Sequence, residues 1–387
     1  MVGRIIKTNK NNSFFVFGAR GTGKTTWLQQ CFVSPRTLWI NLLQDEQVEL
    51  YRKNLSELTR QLESGKFDWV VIDEVQKLPK LLDRVHMEIE KRSALFVLTG
   101  SSARKLKRGA ANLLGGRAFT YHMYPFSFLE LGQAFDLDHV LRWGSLPKIL
   151  EFGSDESAKK DYLRSYVQTY LKEEIVAEQI VRKLDPFRDF LPIVAQQNGD
   201  IINYKKIAND IGVDDKTVKS FFQILDDTLV GFHLNPFHRS VRKRQRQSPK
   251  FYLLDTGVKR ALEQKLNLPI EEGYAYGKAF EHRLVLEAHW LNDYHKLDYR
   301  FSYLRTKDDA EIDLIIERPG LPDLLVEIKS TQSVRDEQAT ALGRFLESWP
   351  KKAEAHIWSR DPSEKKIGAC LALHWQEGLR RVFGESG

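Results

Sequence analysis

The chain has 387 residues, 42% of them hydrophobic and 29% charged, with a formal net charge of +7. This length suggests two or three domains, and the composition excludes a disordered chain. No apolar run approaches the ~18 residues of a membrane span, and the N-terminal segment lacks the apolar core of a secretory signal. Cys31 and Cys370 are the only cysteines, which excludes a disulfide framework and a cysteine-rich zinc site. We therefore expect a soluble, cytoplasmic protein with no membrane partner.

The first part of the chain alternates short apolar runs with longer amphipathic segments. The runs have the length of strands, and the segments between them are long enough for crossover helices. This alternation predicts a parallel sheet covered by helices on both faces. The predicted strands are Phe14–Phe17, Leu38–Leu42, Trp69–Ile72, Leu95–Leu98 and Ala118–Tyr121.

A mainly helical region follows. Residues 157–184 predict a polar helix, and several short helices come after it. Among these, Gly212 occupies the tight turn of a helix-turn-helix pattern, and Asp214 is a good N-cap for its second helix. Two strand-like runs, Leu229–Leu234 and Phe251–Leu254, then enclose a basic segment. Helices followed by a basic hairpin have the outline of a winged helix.

The C-terminal part of the chain again mixes helices and strands. Its periodicity predicts helices at 278–291 and 334–348, with strands at 299–304, 311–317, 324–328 and near 355–358.

A phosphate-binding pattern follows the first predicted strand. The run from Gly18 to Thr25, GARGTGKT, matches G-x-x-x-x-G-K-[ST] in full. Its glycines let backbone N–H groups turn towards phosphate oxygens, Lys24 reaches the β- and γ-phosphates, and the Thr25 hydroxyl coordinates Mg²⁺. The predicted nucleotide-binding residues are Gly18, Ala19, Arg20, Gly21, Thr22, Gly23, Lys24, Thr25 and Thr26.

Two further strands predict the remaining parts of this site. The third predicted strand ends in Asp73 and Glu74, which are suited to holding Mg²⁺ and to polarising the attacking water, respectively. A purely structural role for Glu74, in the first turn of a helix, is the alternative. The fourth strand leads to Ser101 and Ser102, whose hydroxyls either sense the γ-phosphate or cap the next helix.

These motifs, together with the run LLGGRAFTYHMYPFSFLEL, resemble the AAA+ ATPases of bacteria and archaea. The closest resemblance is to a branch with a winged helix and a C-terminal domain of unknown function with a PD-(D/E)xK nuclease-like fold. It implies a five-stranded core, ATP with Mg²⁺, and assembly into homo-oligomers. Arg117, in the GR position of the pattern, would then contact a neighbouring subunit's γ-phosphate as a catalytic finger, and a surface salt bridge is the alternative.

Paired acids in the C-terminal region predict a second site. Glu311 and Asp313 share one face of a strand, Glu327 and Lys329 share one face of the next, and adjacent strands would bring Asp313, Glu327 and Lys329 to one edge. The arrangement resembles the PD-(D/E)xK nucleases, although no proline precedes Asp313. That resemblance makes Glu281, Asp313 and Glu327 candidate metal ligands and Lys329 a nuclease-like catalytic lysine. Solvated strand-edge charges, or an inactive fold retained for docking, are the alternatives.

The excess of positive charge lies mainly in one strip. Six basic residues and no acid occur between Arg239 and Lys250. Such a strip attracts phosphates, so we expect non-specific DNA contact, and a solvated loop is the alternative. Asp214 and Asp215 at the start of the second helix oppose major-groove reading. The predicted nucleic-acid contacts are Arg242, Lys243, Arg244 and Arg246.

The sequence thus predicts an α/β protein that hydrolyses ATP and acts on or near nucleic acid. The alternatives are an ATP-dependent regulatory or scaffold protein that binds another protein, and a metal-dependent nuclease licensed by ATP. The predicted domains are an AAA+ P-loop ATPase domain with a parallel sheet at 1–150, a helical lid and helix-turn-helix region at 151–236, a basic wing and last winged-helix strand at 237–260, and a PD-(D/E)xK nuclease-like domain at 261–387.

Overall fold

The computed structural model describes residues 2–101, 115–170, 184–238 and 248–384. Within these residues the strands form one five-stranded and one eight-stranded sheet, and helices pack against both. None of the described helices is both long enough and apolar enough to cross a membrane.

The first sheet is entirely parallel, with strand order β2-β3-β4-β1-β5 among the described residues. All five strands lie within two residues of their predicted positions, so the predicted parallel sheet is confirmed. The central strands β1, β3 and β4 are buried on both faces and are therefore nearly continuous apolar runs, which made them predictable from the sequence. The strands are β1 (Ser13–Phe17), β2 (Thr37–Asn41), β3 (Trp69–Asp73), β4 (Leu95–Gly100) and β5 (Ala118–His122).

Apolar side chains on both faces of this sheet are buried. Phe15 and Ile72 belong to the core on one face, and Phe14 and Val16 belong to the core on the other, where Trp27 covers them. The helices of this region are α1 (Lys24–Phe32), α2 (Asp45–Lys53), α3 (Glu57–Ser64) and α4 (Leu81–Glu90).

Short helices lead from the first sheet into the helical region. Ser127 and Glu130 form a capping box at the start of the first of them. The predicted helix at 157–184 begins as expected and passes into a π-helix at Tyr166–Tyr170, while its part at 171–183 lies outside the described residues. The helices are α5 (Phe128–Leu131), α6 (Leu137–Trp143), α7 (Pro147–Glu151), α8 (Glu156–Ser165) and α9 (Leu184–Gln196).

The helix-turn-helix pattern is present as α10 (Tyr204–Asp210) and α11 (Asp215–Asp227). Gly212 has a φ of 67° between them, and the Asp214 carboxylate accepts a 2.6 Å hydrogen bond from the Thr217 amide as the N-cap. Strands β6 (Gly231–Pro236) and β7 (Lys250–Leu253) follow as an antiparallel pair. The hairpin is not a free wing, because β6 also pairs with a C-terminal strand.

The second sheet therefore crosses the predicted boundary at 260/261. Its order is β12-β13-β11-β10-β9-β8-β6-β7 among the described strands. The last two strands and the final helix were not predicted. The elements are α12 (Thr256–Leu262), α13 (Tyr274–Tyr294), β8 (Arg300–Arg305), β9 (Glu311–Glu317), β10 (Asp323–Lys329), α14 (Asp336–Glu347), β11 (Ala353–Ser359), β12 (Lys365–Ile367), β13 (Cys370–His374) and α15 (Trp375–Phe383).

Helix α13 connects the two sheets. Phe280 and Leu284 lie in the core of the second sheet, whereas Leu286 and Trp290 lie in the core of the first. The helix is buried on several sides and extends further in both directions than its apolar stripe predicted. The two halves of the chain therefore share one packed element.

A buried ion pair fastens α13 to the segment after β5. Arg283 and Glu287 form a salt bridge, and both side chains are fully buried. Arg283 also donates to Ser145 Oγ at 2.7 Å and to the Phe126 carbonyl at 2.9 Å, while the Phe128 amide donates to Glu287 Oε1 at 2.8 Å. Burial raises the pKa of the Glu287 carboxyl to about 7, against the opposing effect of Arg283.

Replacing Arg283 by Met should lower the free energy of unfolding by about 3–5 kcal/mol, because Glu287 is then buried without its partner. Urea denaturation measures this loss. Arg283 lowers the pKa of Glu287, so its removal should raise that pKa above the wild-type value of about 7. The variant then keeps losing stability above this pH, where the wild type no longer does, and the loss should be larger near about pH 8 than near about pH 6. Arg381→Met, in an exposed ion pair, is the matched control and should change stability by less than about 1 kcal/mol. Equal losses in the two variants would contradict the buried pairing.

Candidate functional site

The glycine-rich loop lies at the carboxyl end of β1 and leads directly into α1. The Gly18 amide donates to the Gly100 carbonyl at 3.3 Å, which places the loop beside the end of β4. A side chain at Gly18 would collide with the Met123 carbonyl oxygen. Gly23 has a φ of 92°, a conformation that favours glycine, immediately before α1 begins at Lys24. The N-terminal end of α1 therefore faces the loop, as anion binding requires.

Lys24 supplies positive charge inside this loop. Its buried Nζ donates to the Gly18 carbonyl at 2.6 Å and to the Ala19 carbonyl at 3.2 Å. The Thr22 hydroxyl donates to the Ala19 carbonyl at 2.8 Å and closes the turn. The loop thus combines an ammonium group with a helix N-terminus, a combination that suits a phosphate chain.

Two oxygen ligands for a divalent cation lie next to the loop. The Thr25 hydroxyl donates to Asp73 Oδ2 at 2.7 Å, which joins the start of α1 to the end of β3. Asp73 is fully buried, and its other oxygen accepts a hydrogen bond from Thr99 on β4. A hydroxyl and a carboxylate oxygen held this close are hard ligands of the kind that Mg²⁺ takes, so these residues fit the ion that the sequence predicts.

Glu74 follows Asp73 with a left-handed backbone. Its φ is 60°, unusual for a residue other than glycine, and its amide donates to Thr99 Oγ1 at 2.9 Å. The Gln76 side-chain amide donates to the Glu74 carboxylate and, at 2.9 Å, to Ser101 Oγ. Glu74 and Ser101 are therefore brought together, and Gln76 joins them.

Thr99 and Gln76 were not predicted from the sequence. Thr99 sits in the apolar strand LFVLTG and Gln76 in a short 3-10 turn after the acids, Val75–Lys77. The only signal for either was a polar side chain near a strand end. Each contributes to the site through its hydrogen-bond partners. Those partners are distant in sequence or are brought within reach by the turn at Glu74.

The N-terminal segment also contributes to this site. The Arg4 guanidinium lies 4.0 Å from the centre of the Phe126 ring and donates to the Thr22 carbonyl and to Glu130. Beside it is a mainly apolar cavity of about 260 Å³ that touches the start of α1. Its lining residues are Val2, Arg4, Gly23, Thr26, Trp27, Gln30, Phe126, Pro147, Leu150 and Glu151.

Two tyrosines of the helical region lie over the loop. The Tyr166 hydroxyl donates to the Arg20 carbonyl at 3.0 Å. A side chain at Gly21 would approach the Tyr162 hydroxyl to 3.0 Å, so the two surfaces are in close contact. The loop is covered by α8 and its π-helical extension, which the sequence predicted only as a polar helix.

Arg117 lies away from the other predicted catalytic residues. It immediately precedes β5, whose first residue pairs with Ser13 at the start of β1, so Arg117 is at the opposite end of the sheet from the loop. Its guanidinium bonds Glu90 and donates to the Gly115 carbonyl at 3.2 Å. The structure therefore does not bring Arg117 to the chain's own loop, and its role in a neighbouring subunit stays a prediction.

The acids of the C-terminal region do converge. Antiparallel pairing of β9 and β10 places Asp313 near Glu327, and Asp313 Oδ2 accepts a 2.7 Å hydrogen bond from the Ile328 amide. Burial, together with the charges of Glu327 and Glu281, raises the pKa of Asp313 well above its usual range. Lys329 Nζ lies 2.5 Å from Glu327 Oε1.

The predicted role of Glu281, Asp313 and Glu327 as metal ligands is not supported by this arrangement. Across residues 2–101, 115–170, 184–238 and 248–384, no three His, Cys, Asp or Glu side chains are placed to hold a metal ion. Lysine ammonium groups contact Glu281 and Glu327 instead. The predicted nucleic-acid contacts Arg242, Lys243, Arg244 and Arg246 lie outside the described residues.

Three family models match the chain, and none covers half of it. Residues 10–132 match an AAA domain, which contains both the glycine-rich loop and the Asp73–Glu74 strand end. Residues 134–269 and 276–371 match two domains of unknown function, DUF8612 and DUF4143.

The similar curated proteins are uncharacterized. One, from Mycobacterium tuberculosis, is 26% identical over 283 residues, which are 72% of this chain and 63% of the relative. Another, from Methanocaldococcus jannaschii, is 25% identical over 374 residues, with 84% of this chain and 77% of the relative covered. The chain thus spans about 63% of the length of its mycobacterial relative.

Two solved structures are only weakly similar. Domain III of the Thermotoga maritima replication initiation protein DnaA gives a TM-score of 0.25 at 17% identity, covering 52% of this chain and 83% of that one. A Vibrio cholerae protein gives 0.24 at 12% identity, covering 96% and 97%. Scores this low carry no argument about this chain. Residues 10–132 are thus similar to an AAA domain, and the parallel five-stranded sheet is consistent with a P-loop AAA fold.

Proposed function

We propose that the chain binds and hydrolyses ATP at the glycine-rich loop and uses the cycle as a switch or motor on or near nucleic acid. One observation carries the ATPase part of this proposal. The loop from Gly18 to Thr25 bonds Asp73 through the Thr25 hydroxyl, Glu74 is the next residue, and the loop and these acids follow strands of one parallel sheet. This juxtaposition joins a phosphate-binding loop to carboxylates that suit metal binding and water activation.

Each residue of the site has a chemical role in this proposal. Lys24 neutralises charge on the β- and γ-phosphates, Thr25 and Asp73 hold Mg²⁺, and Glu74 orients the attacking water and accepts its proton. Bound Mg²⁺ would supply neutralisation of phosphate oxygens. In this proposal the Ser101 hydroxyl, which accepts a hydrogen bond from Gln76, responds to the γ-phosphate.

The apolar cavity beside α1 suits the nucleotide's base. Trp27 and Phe126 supply aromatic surface, and Gln30 and Glu151 supply polar edges. The cavity also touches Gly23 of the loop. One nucleotide could therefore place its base in the cavity and its phosphates in the loop. Homo-oligomeric assembly would let Arg117 of one subunit serve a neighbour's site.

The nucleic-acid part of the proposal is supported by the basic strip between β6 and β7. Five basic residues without an acid, between Arg239 and Arg246, favour phosphate contacts, and these contacts carry no sequence preference. The sixth, Lys250, is buried in β7. The helix-turn-helix does not favour base reading. Asp214 is used as the N-cap of α11, and Asp215 pairs with Lys219 at 3.3 Å, so its N-terminal turn presents acids.

The most informative experiment is an ATPase assay on the purified chain with and without duplex DNA, alongside a DNA-cleavage assay in Mg²⁺ or Mn²⁺. We expect Mg²⁺-dependent phosphate release, changed by DNA, with no cleavage. Absence of hydrolysis in a folded protein would overturn the proposal. DNA cleavage that requires ATP would favour the licensed nuclease instead.

A four-serine variant at Arg242, Lys243, Arg244 and Arg246 should bind duplex DNA with weaker salt dependence. Each lost phosphate contact should flatten the slope of log affinity against log salt by about 0.9. Fluorescence anisotropy across a salt series measures the slope, and two unrelated DNA sequences should give the same values. A slope equal to that of the wild type would show that the strip does not follow a phosphate backbone.

A second candidate is an ATP-dependent regulatory or scaffold protein whose partner is another protein. The acidic N-terminal turn of α11 favours this second candidate. In a helix-turn-helix that binds DNA, this turn approaches the phosphates, which would repel its acids. DNA binding that weakens with salt supports the main proposal, and no detectable DNA binding at low salt supports this alternative.

A further inference from the structure

A lysine lies at the centre of the C-terminal acids. Lys250, the last basic residue of the strip and the first residue of β7, has only 2% of its surface exposed. Its Nζ lies 2.5 Å from Glu311 Oε1 and 3.6 Å from Glu281 Oε1, and the negative charge of Asp313 also acts on it. The ring of Tyr303 lies 5.2 Å away on another side. The ammonium group is thus enclosed by acids from α13 and β9.

Two more lysines add positive charge around this position. Lys278 Nζ lies 3.0 Å from Asp200 Oδ1 and 3.4 Å from Glu281 Oε2. Lys329 Nζ lies 2.5 Å from Glu327 Oε1. Buried acids are stable only when paired, and three ammonium groups supply the pairing in this cluster.

Several of the carboxylate oxygens are already engaged by these contacts. Glu281 Oε1 accepts a 2.7 Å hydrogen bond from the Tyr252 hydroxyl as well as facing Lys250, and Glu281 Oε2 faces Lys278. Asp313 Oδ2 accepts from the Ile328 amide. A divalent cation needs several free oxygens at about 2.0–2.6 Å, and in this arrangement Lys250 occupies the space that they surround.

We infer that the Lys250 ammonium serves as the cation of this acid cluster, so that the C-terminal unit folds without a divalent metal and binds one only when Lys250 is removed. The same side chain ties the hairpin to α13 and β9, which joins the helix-turn-helix region to the second sheet. The inference is independent of the ATP hydrolysis proposed above.

Thermal unfolding of the full-length, chelator-treated protein, without nucleotide and with or without Mn²⁺, tests the inference. The wild type should show the same midpoint in both conditions. Lys250→Met should lower the midpoint by roughly 5 °C or more, because the acids lose their counter-charge, and Mn²⁺ should restore about 5 °C of it. Lys351→Met removes an exposed lysine beside Asp323 and should behave like the wild type.

Two further variants distinguish the lysine's charge from its packing. Lys250→Arg keeps a cation and should fold with no Mn²⁺ response. Lys250→Met combined with Glu311→Gln removes one acid together with the lysine, and should recover part of the lost midpoint while responding less to Mn²⁺. This second variant keeps the test usable if Lys250→Met alone fails to fold.

Opposite results would overturn the inference. The first is that Mn²⁺ raises the midpoint of the wild type and that Asp313→Asn abolishes this rise. The protein would then already contain a metal site beside Lys250. The other is a folded Lys250→Met protein that gains no stability from Mn²⁺, since the acids would then not form a latent cation site.

Discussion

Replacing Lys24 by Ala is expected to abolish ATP hydrolysis while leaving the fold intact. In the proposed reaction the Lys24 ammonium meets the charge that develops on the transferring phosphoryl group. Losing one such preorganised donor costs on the order of 100-fold or more in turnover. The fold should survive, because Nζ bonds the Gly18 and Ala19 carbonyls within the loop itself. Steady-state phosphate release measures the loss, and a thermal melt reports the fold.

Lys53→Ala is the matched control for that experiment. Lys53 is exposed at the end of α2, so the substitution removes the same charge from the same domain without touching the loop. Its turnover should equal that of the wild type. Undiminished hydrolysis by a folded Lys24→Ala protein would mean that this loop is not where ATP is hydrolysed.

The architecture of the first sheet and its glycine-rich loop could be predicted, because it depends on residues that are close together in sequence. The central strands β1, β3 and β4 of the first sheet are buried on both faces and are therefore nearly continuous apolar runs. Gly18 to Thr25 need a fixed spacing to follow the loop's turns. Asp73 was predictable for the same reason, as the acid that ends such a run. These features depend on neighbours in sequence.

The supporting residues could not be predicted, because their meaning depends on distant partners. Arg4 reaches the loop across a separation of 18 residues to the Thr22 carbonyl, and of 126 residues to Glu130. Thr99 bonds Asp73 across 26 residues. No spacing rule connects such pairs, since the sheet order brings them together. The sequence shows only one arginine among many and a threonine near a strand end.

In the C-terminal acid cluster, the alternation of side chains along the strands was predicted correctly, but the predicted site was incomplete. Strand alternation placed Glu311 and Asp313 on one face correctly, and Glu327 beside Lys329. What it missed was Lys250, which in sequence belongs to a strip that resembles a solvated wing. The parallel pairing of β6 with β8 carries the hairpin into the second sheet, and this tertiary contact turns a surface charge into a buried counter-ion.

Replacing Glu74 by Gln should separate nucleotide binding from hydrolysis. An amide keeps the size of the side chain but accepts a proton far more weakly than a carboxylate, so the attacking water loses its base. We expect hydrolysis to fall by about 100-fold or more, within the usual contribution of general base catalysis, while ATP affinity stays within about threefold of the wild type. A fluorescent ATP analogue measures affinity, and single-turnover phosphate release measures the chemical step.

The structure supports this separation, because Glu74 is held by residues outside the glycine-rich loop. Its amide bonds Thr99 and its side chain bonds Gln76, so a glutamine can keep the left-handed turn at this position. Glu63→Gln, an exposed glutamate on α3, is the matched control and should leave both measurements unchanged. A folded Glu74→Gln protein that no longer binds ATP would show that Glu74 shapes the nucleotide site. One that hydrolyses ATP at the wild-type rate would assign the base to another residue.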